Sequence, residues 1–253
     1  MFRPRVIPVL LLQNKGLVKS NKFKSFRYIG DPINAVKIFN DLRADELIFL
    51  DILASKEKRT ISTDFVKKVG DEANMPFAVG GGIRSLDKIN EIIAAGAEKV
   101  IINTFAVENP GFIKEAANEF GSSTIVISMD IKKKRFGKQQ LYTHSGGRAS
   151  AYDPVVFAKL AEENGAGELF LNSIENDGQM AGYDLELIQK VSDAVEIPVV
   201  ASGGAGTLEH LKEAISIGRA SAVAAGSMFV FHGNRRAVLV NYPKPSELIE
   251  TFN

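Results

Sequence analysis

The sequence predicts an α/β protein: a (βα)8 TIM barrel built from two repeated half-barrels, forming a single domain over residues 1–253. Three observations predict it. Eight strand-like runs alternate with eight helix-like ones. The strand-like runs are continuously apolar rather than alternating, which suits strands covered on both faces. The chain also repeats itself. Residues 75–104, MPFAVGGGIRSLDKINEIIAAGAEKVIINT, superimpose on residues 197–226, IPVVASGGAGTLEHLKEAISIGRASAVAAG, at a shift of 122 residues. The rival is a doubly wound open sheet, which favours a glycine cluster after the first strand. Here the clusters follow the third and seventh, and the length favours closure.

The expected strands are Arg5–Leu12, Glu46–Ile52, Phe77–Gly80, Lys99–Asn103, Thr124–Asp130, Glu168–Ser173, Pro198–Ser202 and Ser221–Ala225. The helix-like segments are Pro32–Arg43, Ile61–Ala73, Ser85–Ala95, Pro110–Phe120, Pro154–Asn164, Leu185–Ala194 and Thr207–Ile217, with a late helix after Pro245. Asp31-Pro32 and Asp153-Pro154 read as N-caps followed by proline at the first helical position, and these pairs are again 122 residues apart. Residues 13–31 form a long connection, read as a lid-like loop carrying Lys15, Lys19, Lys22, Lys24 and Arg27. Those cations suit an anionic ligand; the plain alternative is a solvated basic loop.

Composition excludes several function classes. Lys and Arg number 31 against 30 Asp and Glu, a net charge of +1. No global field steers the chain toward nucleic acid or an anionic membrane, and neither is expected as a partner. There is no cysteine, which removes disulfides and thiolate chemistry and fits a cytoplasmic location. The apolar run near the N-terminus carries Pro8 and lacks a small-residue cleavage site, so it reads as a buried strand rather than a signal peptide. The three histidines, His144, His210 and His232, show no metal-ligand spacing. No metal or cofactor is expected, and only His144 lies near a candidate site.

In such a barrel, chemistry gathers where strands end. Gly81 and Gly82 with Asn103 and Thr104 form one candidate phosphate cradle. Gly203 and Gly204, just past the strand end at Ser202, with Gly226 and Ser227 form the other. Glycines expose backbone N–H groups, and a following helix N-terminus adds its positive end. Glycines that merely permit tight turns are the alternative. Two cradles at repeat-related positions favour a ligand with a phosphate at each end, and Lys19 is a candidate contact for it. Asp130 ends the apolar run IVISMD, where a carboxylate suits general acid–base work. The alternative is an N-cap or an ion pair with the Lys132–Arg135 cluster. Asp177, followed by Gly178, suits a second carboxylate or an orienting group for a substrate hydroxyl, although Asp-Gly is also a common turn. Asp51 reads as a loop brace. Arg5, Glu46, Lys99 and Glu168 each begin a strand and so gather at the barrel floor. From spacing alone they read as an ordinary stabilising charge cluster.

These motifs together resemble the HisF family, the cyclase subunit of imidazole glycerol phosphate synthase. The resemblance runs from about Arg3 to Phe231. It is carried by GDP at 30–32, DELIFLDILASKEKR at 45–59, FAVGGGI at 77–83, INTFAVENP at 102–110, AGYD at 181–184 and ASGGAGTLEH at 201–210. It implies a (βα)8 barrel that takes ammonia from a HisH-like glutaminase docked at its bottom. It also implies that Arg5, Glu46, Lys99 and Glu168 are an ammonia gate, reversing the reading from spacing. The family's phosphate-binding positions map onto Gly82, Asn103, Thr104, Asp177, Gly204, Ala225 and Gly226.

Two departures accompany the resemblance. The family's cyclase uses two aspartates, at the ends of strands one and five. The second is Asp130; the first falls on Leu11. Leucine transfers no proton, and loss of one partner of an acid–base pair costs at least about 10²-fold in rate. The tail also differs, with a short alternating run at residues 237–241 before the late helix. Both features resemble the HisF-like branch of surface-polysaccharide and flagellar-glycan pathways, whose members are thought to supply ammonia for acetamidino sugars. The expected function is a HisF-like subunit of that kind. The alternatives are an authentic cyclase of histidine biosynthesis and a non-catalytic scaffold that activates a glutaminase.

Overall fold

The computed structural model describes residues 3–134, 137–233 and 235–253. Its strands and helices in chain order are β1 (Arg5–Gln13), β2 (Gly16–Asn21), β3 (Lys24–Gly30), α1 (Pro32–Asp41), β4 (Leu47–Asp51), α2 (Thr63–Glu72), β5 (Phe77–Gly80), α3 (Leu86–Ala94), β6 (Lys99–Ile102), α4 (Thr104–Glu108), α5 (Gly111–Phe120), β7 (Ile125–Lys133), β8 (Gln139–Thr143), β9 (Arg148–Ala149), α6 (Pro154–Glu163), β10 (Glu168–Ser173), α7 (Leu185–Ser192), β11 (Val199–Ser202), α8 (Leu208–Ser216), β12 (Ala222–Ala225), β13 (Phe231–His232), β14 (Ala237–Val238) and α9 (Pro245–Phe252).

Eight of these strands close on themselves in parallel: β1 pairs with β4, then β5, β6, β7, β10, β11 and β12 follow, and β12 returns to β1. This is the expected (βα)8 barrel, with element ends shifted by a few residues. Closure leaves the barrel strands no free edge. Two apolar clusters follow from the period-two alternation of side chains. Inward positions, among them Ile7, Val9, Ile48, Ala78, Ile101, Val126 and Phe170, pack along the axis. Outward positions join the helices in the larger cluster, which includes Phe39, Phe49, Ile89, Ile113 and Phe157.

The helix starts obey local chemistry. Asp31 Oδ1 accepts from the Ile33 and Asn34 amides, both at 2.9 Å. Asp153 Oδ1 does the same for Val155 and Val156 at 2.9 and 3.4 Å. Ser85 and Thr207, again repeat mates, cap α3 and α8 with their hydroxyls.

Three segments correct the sequence reading. Residues 13–31 are not a structureless loop. Leu11 to Gln13 pair antiparallel with β2, and β2 pairs with β3, so a flap of two successive hairpins rises from the first strand. The β2–β3 turn places Lys22 and Phe23 at φ 53° and 59°. A non-glycine turn of that hand is strained, and Asp177 braces it: its carbonyl accepts from the Lys22 amide at 3.0 Å and its carboxylate from the Phe23 amide at 3.2 Å. Strand β7 runs past Asp130 and continues antiparallel into β8 and β9. The tail run at 237–241 forms a two-residue strand at Ala237–Val238, against β13, and carries on with the Leu239 and Asn241 amides donating to the Val230 and Phe229 carbonyls at 3.0 and 2.9 Å. That small hairpin lies beside the flap: Arg27 donates to the Arg236 carbonyl at 3.0 Å and its guanidinium sits 5.3 Å from the Phe231 ring centre. No helix among the described residues is long and apolar enough to cross a membrane.

Candidate active site

At the C-terminal ends of the barrel strands lies a cavity of about 590 Å³. Its walls bring together Lys19, Gly81, Gly82, Asn103, Thr104, Asp130, Asp177, Gly178, Ser202, Gly203, Gly204 and Gly226, as the sequence reading expects. Ala225 does not join them. Its side chain belongs to the outer cluster facing the helices, because Ala224 and Gly226 occupy the inward positions of that strand. Any contact it makes to a ligand would come from its backbone.

Both glycine cradles use positive-φ backbone, with different values in the two copies. Gly82 has φ +64° and Gly204, its repeat mate, φ +122°. A Cβ on Gly82 would overlap the Arg59 carbonyl, and one on Gly204 the Gly182 carbonyl. Only glycine lets the backbone approach this closely. Each loop runs into a helix N-terminus, α3 and α8 respectively, so backbone N–H groups and the positive helix end act together. Lys56, Lys58, Arg59 and Arg84 add cations around the first cradle. Arg59 is fully engaged: both Nη atoms pair with Asp51, whose Oδ1 also accepts from the Leu53 and Ala54 amides at 3.1 and 3.2 Å, and its Nε donates to Glu57 at 2.6 Å. Asp51 is thus the loop brace it was read to be.

Asp130 projects inward from β7 and is 9 % exposed. No ion pair reaches it among the described residues; Lys133 turns instead to Asp184 at 3.0 Å, and Arg135 of the Lys132–Arg135 cluster lies outside the described residues. Its polar neighbours are amides. Asn172 donates to Oδ1 at 3.3 Å and Asn103 approaches Oδ2 at 3.4 Å. Burial pushes its carboxyl up to about 7, opposed by the Asn172 hydrogen bond and reinforced by the charge of Asp177. A carboxyl near neutrality can take or give a proton at physiological pH.

Asn172 is the residue the sequence reading missed, having singled out Ser173 instead. The two-residue period supplies the signal: Glu168 faces the bore, so Phe170 and Asn172 do too. In the barrel Asn172 stands in register with Asp130.

Asp177 lines the cavity, but its carboxylate is largely engaged with the flap, taking the Ser20 hydroxyl at 2.6 Å as well as the Phe23 amide. Burial raises its pKa; the Ser20 and Phe23 hydrogen bonds and the Lys19 charge act the other way. Lys19 is buried and donates to the Val9 carbonyl beside Gly226. Burial holds its ammonium down at about 8, against the pull of Asp177. His144 lines the wall, with its amide on the Thr104 hydroxyl at 3.0 Å. Leu11 lines the same cavity, opposite in character to Asp130: where a second carboxylate would complete an acid–base pair, the wall is hydrocarbon, continued by Leu50 and Val9.

At the other end of the bore, Arg5, Glu46, Lys99 and Glu168 form a closed ring. Arg5 bridges Glu46 and Glu168. Lys99 lies 2.9 Å from Glu168 and 3.6 Å from Glu46. Burial raises the Glu46 pKa, with Lys99 and then Arg5 opposing it. Between ring and mouth the axis is lined by apolar side chains, several as small as Ala78, Ala222 and Ala224. No group of acidic or histidine side chains among the described residues could hold a metal.

A closed parallel barrel with one deep mouth at its strand ends defines the class of (βα)8 proteins whose ligands and chemistry sit at that face. Sequence comparison narrows the class. The histidine biosynthesis protein family matches residues 5–235. Proteins of Leptospira borgpetersenii and Pseudomonas aeruginosa, named provisionally as imidazole glycerol phosphate synthase subunits HisF and hisF2, are each 44% identical over 248 residues. That covers 98% of this chain in both cases, and 98% and 99% of theirs. A Vibrio vulnificus protein, provisionally hisF3, is 43% identical over 98% of this chain and 95% of its own. The chain belongs to the HisF family.

Proposed function

We propose that this chain is the synthase-side subunit of a glutamine amidotransferase pair. It receives ammonia from a HisH-like glutaminase docked against the barrel floor, binds a bis-phosphate ligand at the mouth, and serves acetamidino-sugar synthesis in surface-glycan pathways rather than histidine synthesis. The observation that carries the reading is Leu11 on the wall that faces Asp130. A cavity with two glycine cradles and one free carboxylate supports binding a phosphorylated substrate while lacking the second proton-transfer group of a cyclase. The charged ring with an apolar bore above it supports passage of a small neutral molecule, since ammonia crosses hydrocarbon at far lower cost than ammonium. The numbered names hisF2 and hisF3 of two relatives fit a paralogue.

The competing reading is an authentic imidazole glycerol phosphate synthase cyclase, in which Asp130, poised near neutrality, works with a group other than an aspartate at position 11. A scaffold that merely activates a glutaminase has no use for the retained cradles. Complementation decides between them. Expression in a histidine-requiring strain lacking its own HisF is expected to give no growth without histidine; growth at a normal rate would favour the cyclase.

A further inference from the structure

The two half-barrels supply an internal comparison for the mouth. The loops after β4 and β10 are repeat mates, as are the glycine loops after β5 and β11. Their backbones agree at the turn: Lys58 has φ +53° and Met180, its mate, φ +60°. Their charges do not agree. Lys56, Lys58, Arg59 and Arg84 fall on Gly178, Met180, Ala181 and Gly206. All four cations line the cavity. Arg59 is taken up by Asp51 and Glu57, whereas Lys56, Lys58 and Arg84 form no ion pair among the described residues. Arg84 donates to the Lys58 carbonyl at 3.3 Å, so the two cationic loops stand side by side at the first cradle. Beside the second cradle stands Lys19, buried against Gly226 with its ammonium on the Val9 carbonyl. Glycine amides and a helix N-terminus serve a single phosphate alike in both copies. Unpaired cations gathered at one end repel one another, and an anion of higher charge relieves that repulsion. A phosphate monoester carries about −1.5 to −2. A diphosphate carries more and extends farther from the cradle, within reach of side chains as long as lysine and arginine.

We propose that the first cradle, rimmed by Lys56, Lys58 and Arg84, takes a diphosphate group rather than a phosphate monoester. The two ends of the mouth then select different anions: a diphosphate at the first, a single phosphate at the second. The inference rests on the reading of the mouth as a phosphorylated-ligand site and specifies the charge of one end.

The probes are inorganic phosphate and pyrophosphate, titrated separately into the full chain at matched ionic strength, with the amides of Gly82 and Gly204 followed by NMR. Pyrophosphate is expected to bind at Gly82 at least about tenfold more tightly than phosphate, and at Gly204 by no more than about threefold. The preference at Gly82 should shrink as salt is raised. Lys56 and Arg84 are exposed, and the double variant Lys56→Gln/Arg84→Gln is expected to lose most of that preference while still binding phosphate at Gly82. The comparison of the two cradles in the natural chain does not depend on the variant folding. Equal affinity of the two anions at Gly82, or the same preference at both cradles, overturns this inference and leaves the phosphate mouth standing. No binding of either anion at either cradle overturns the two together. An unchanged preference in the folded double variant overturns the role of the cations.

Discussion

Lys99 Nζ lies 2.9 Å from Glu168 Oε2, and Glu168 also receives Arg5, so one buried carboxylate joins both cations of the floor ring. Removing Lys99 leaves Glu46 and Glu168 with Arg5 alone. Lys99→Ala is expected to destabilise the fold by about 1–3 kcal/mol, read by urea unfolding. The loss should grow as pH rises through the carboxylate range, because the unfolded carboxylates ionise freely there while the folded ones have lost a cation. With the glutaminase bound, glutamine-dependent output should change while ammonium-dependent output does not. If both stay at wild-type levels, the ring is purely structural.

Gly82→Ala forces a Cβ against the Arg59 carbonyl at φ +64°. A cost of about 1–3 kcal/mol in stability is expected, together with loss of phosphate protection at the first cradle only. Calorimetric phosphate binding that is unchanged in the folded variant would argue that the loop is a turn and nothing more.

Asp130 sets a pH dependence with a definite sign. Its folded value near 7 lies above the ordinary 3.8. Between those values the folded chain holds a proton that the unfolded chain has released, so rising pH erodes stability through this window. Asp130→Asn removes that slope. The variant is expected to match wild type near the low end of the window and to exceed it by about 3–5 kcal/mol above the high end. Parallel pH–stability curves for the two proteins would contradict the raised value.

Arg236, on the turn between β13 and β14, donates to the Gly178 carbonyl at 3.1 Å and approaches that of Gln179 at 3.4 Å. It therefore ties the C-terminal hairpin to the turn that carries Asp177. Arg236→Ala is expected to speed amide exchange across residues 177–182 several-fold, with little change in the barrel strands. Hydrogen-exchange mass spectrometry that finds no local change would show the tail to be a bystander.

Much of this architecture is legible in the sequence because it is local. The eight apolar runs, the Asp-Pro caps and the repeated glycine loops each encode their own conformation. What escaped depends on partners distant in the chain. The β2–β3 turn uses Lys22 and Phe23 with left-handed backbone, residues that do not advertise such a turn; it holds because Asp177 braces it. Asn172 escaped because the apolar run ELFLNS conceals which face looks inward until Glu168 is anchored in the floor ring. At Ala225 the same one-residue period turns the side chain to the helices and leaves only its backbone toward the mouth. Leu11 was legible in isolation, but only the closed barrel brings its side chain to the same cavity as Asp130.

On the proposed function, the mouth keeps its binding framework and lacks half of the cyclase chemistry. The most direct test of that reading is the turnover of the bis-phosphorylated ribulosyl-formimino substrate of imidazole glycerol phosphate synthase by the purified chain with an ammonium salt, beside Leu11→Asp. The account predicts turnover at least about 10²-fold below a family cyclase for the natural chain, rising in the Leu11→Asp variant. Robust imidazole glycerol phosphate formation by the unaltered chain would contradict it.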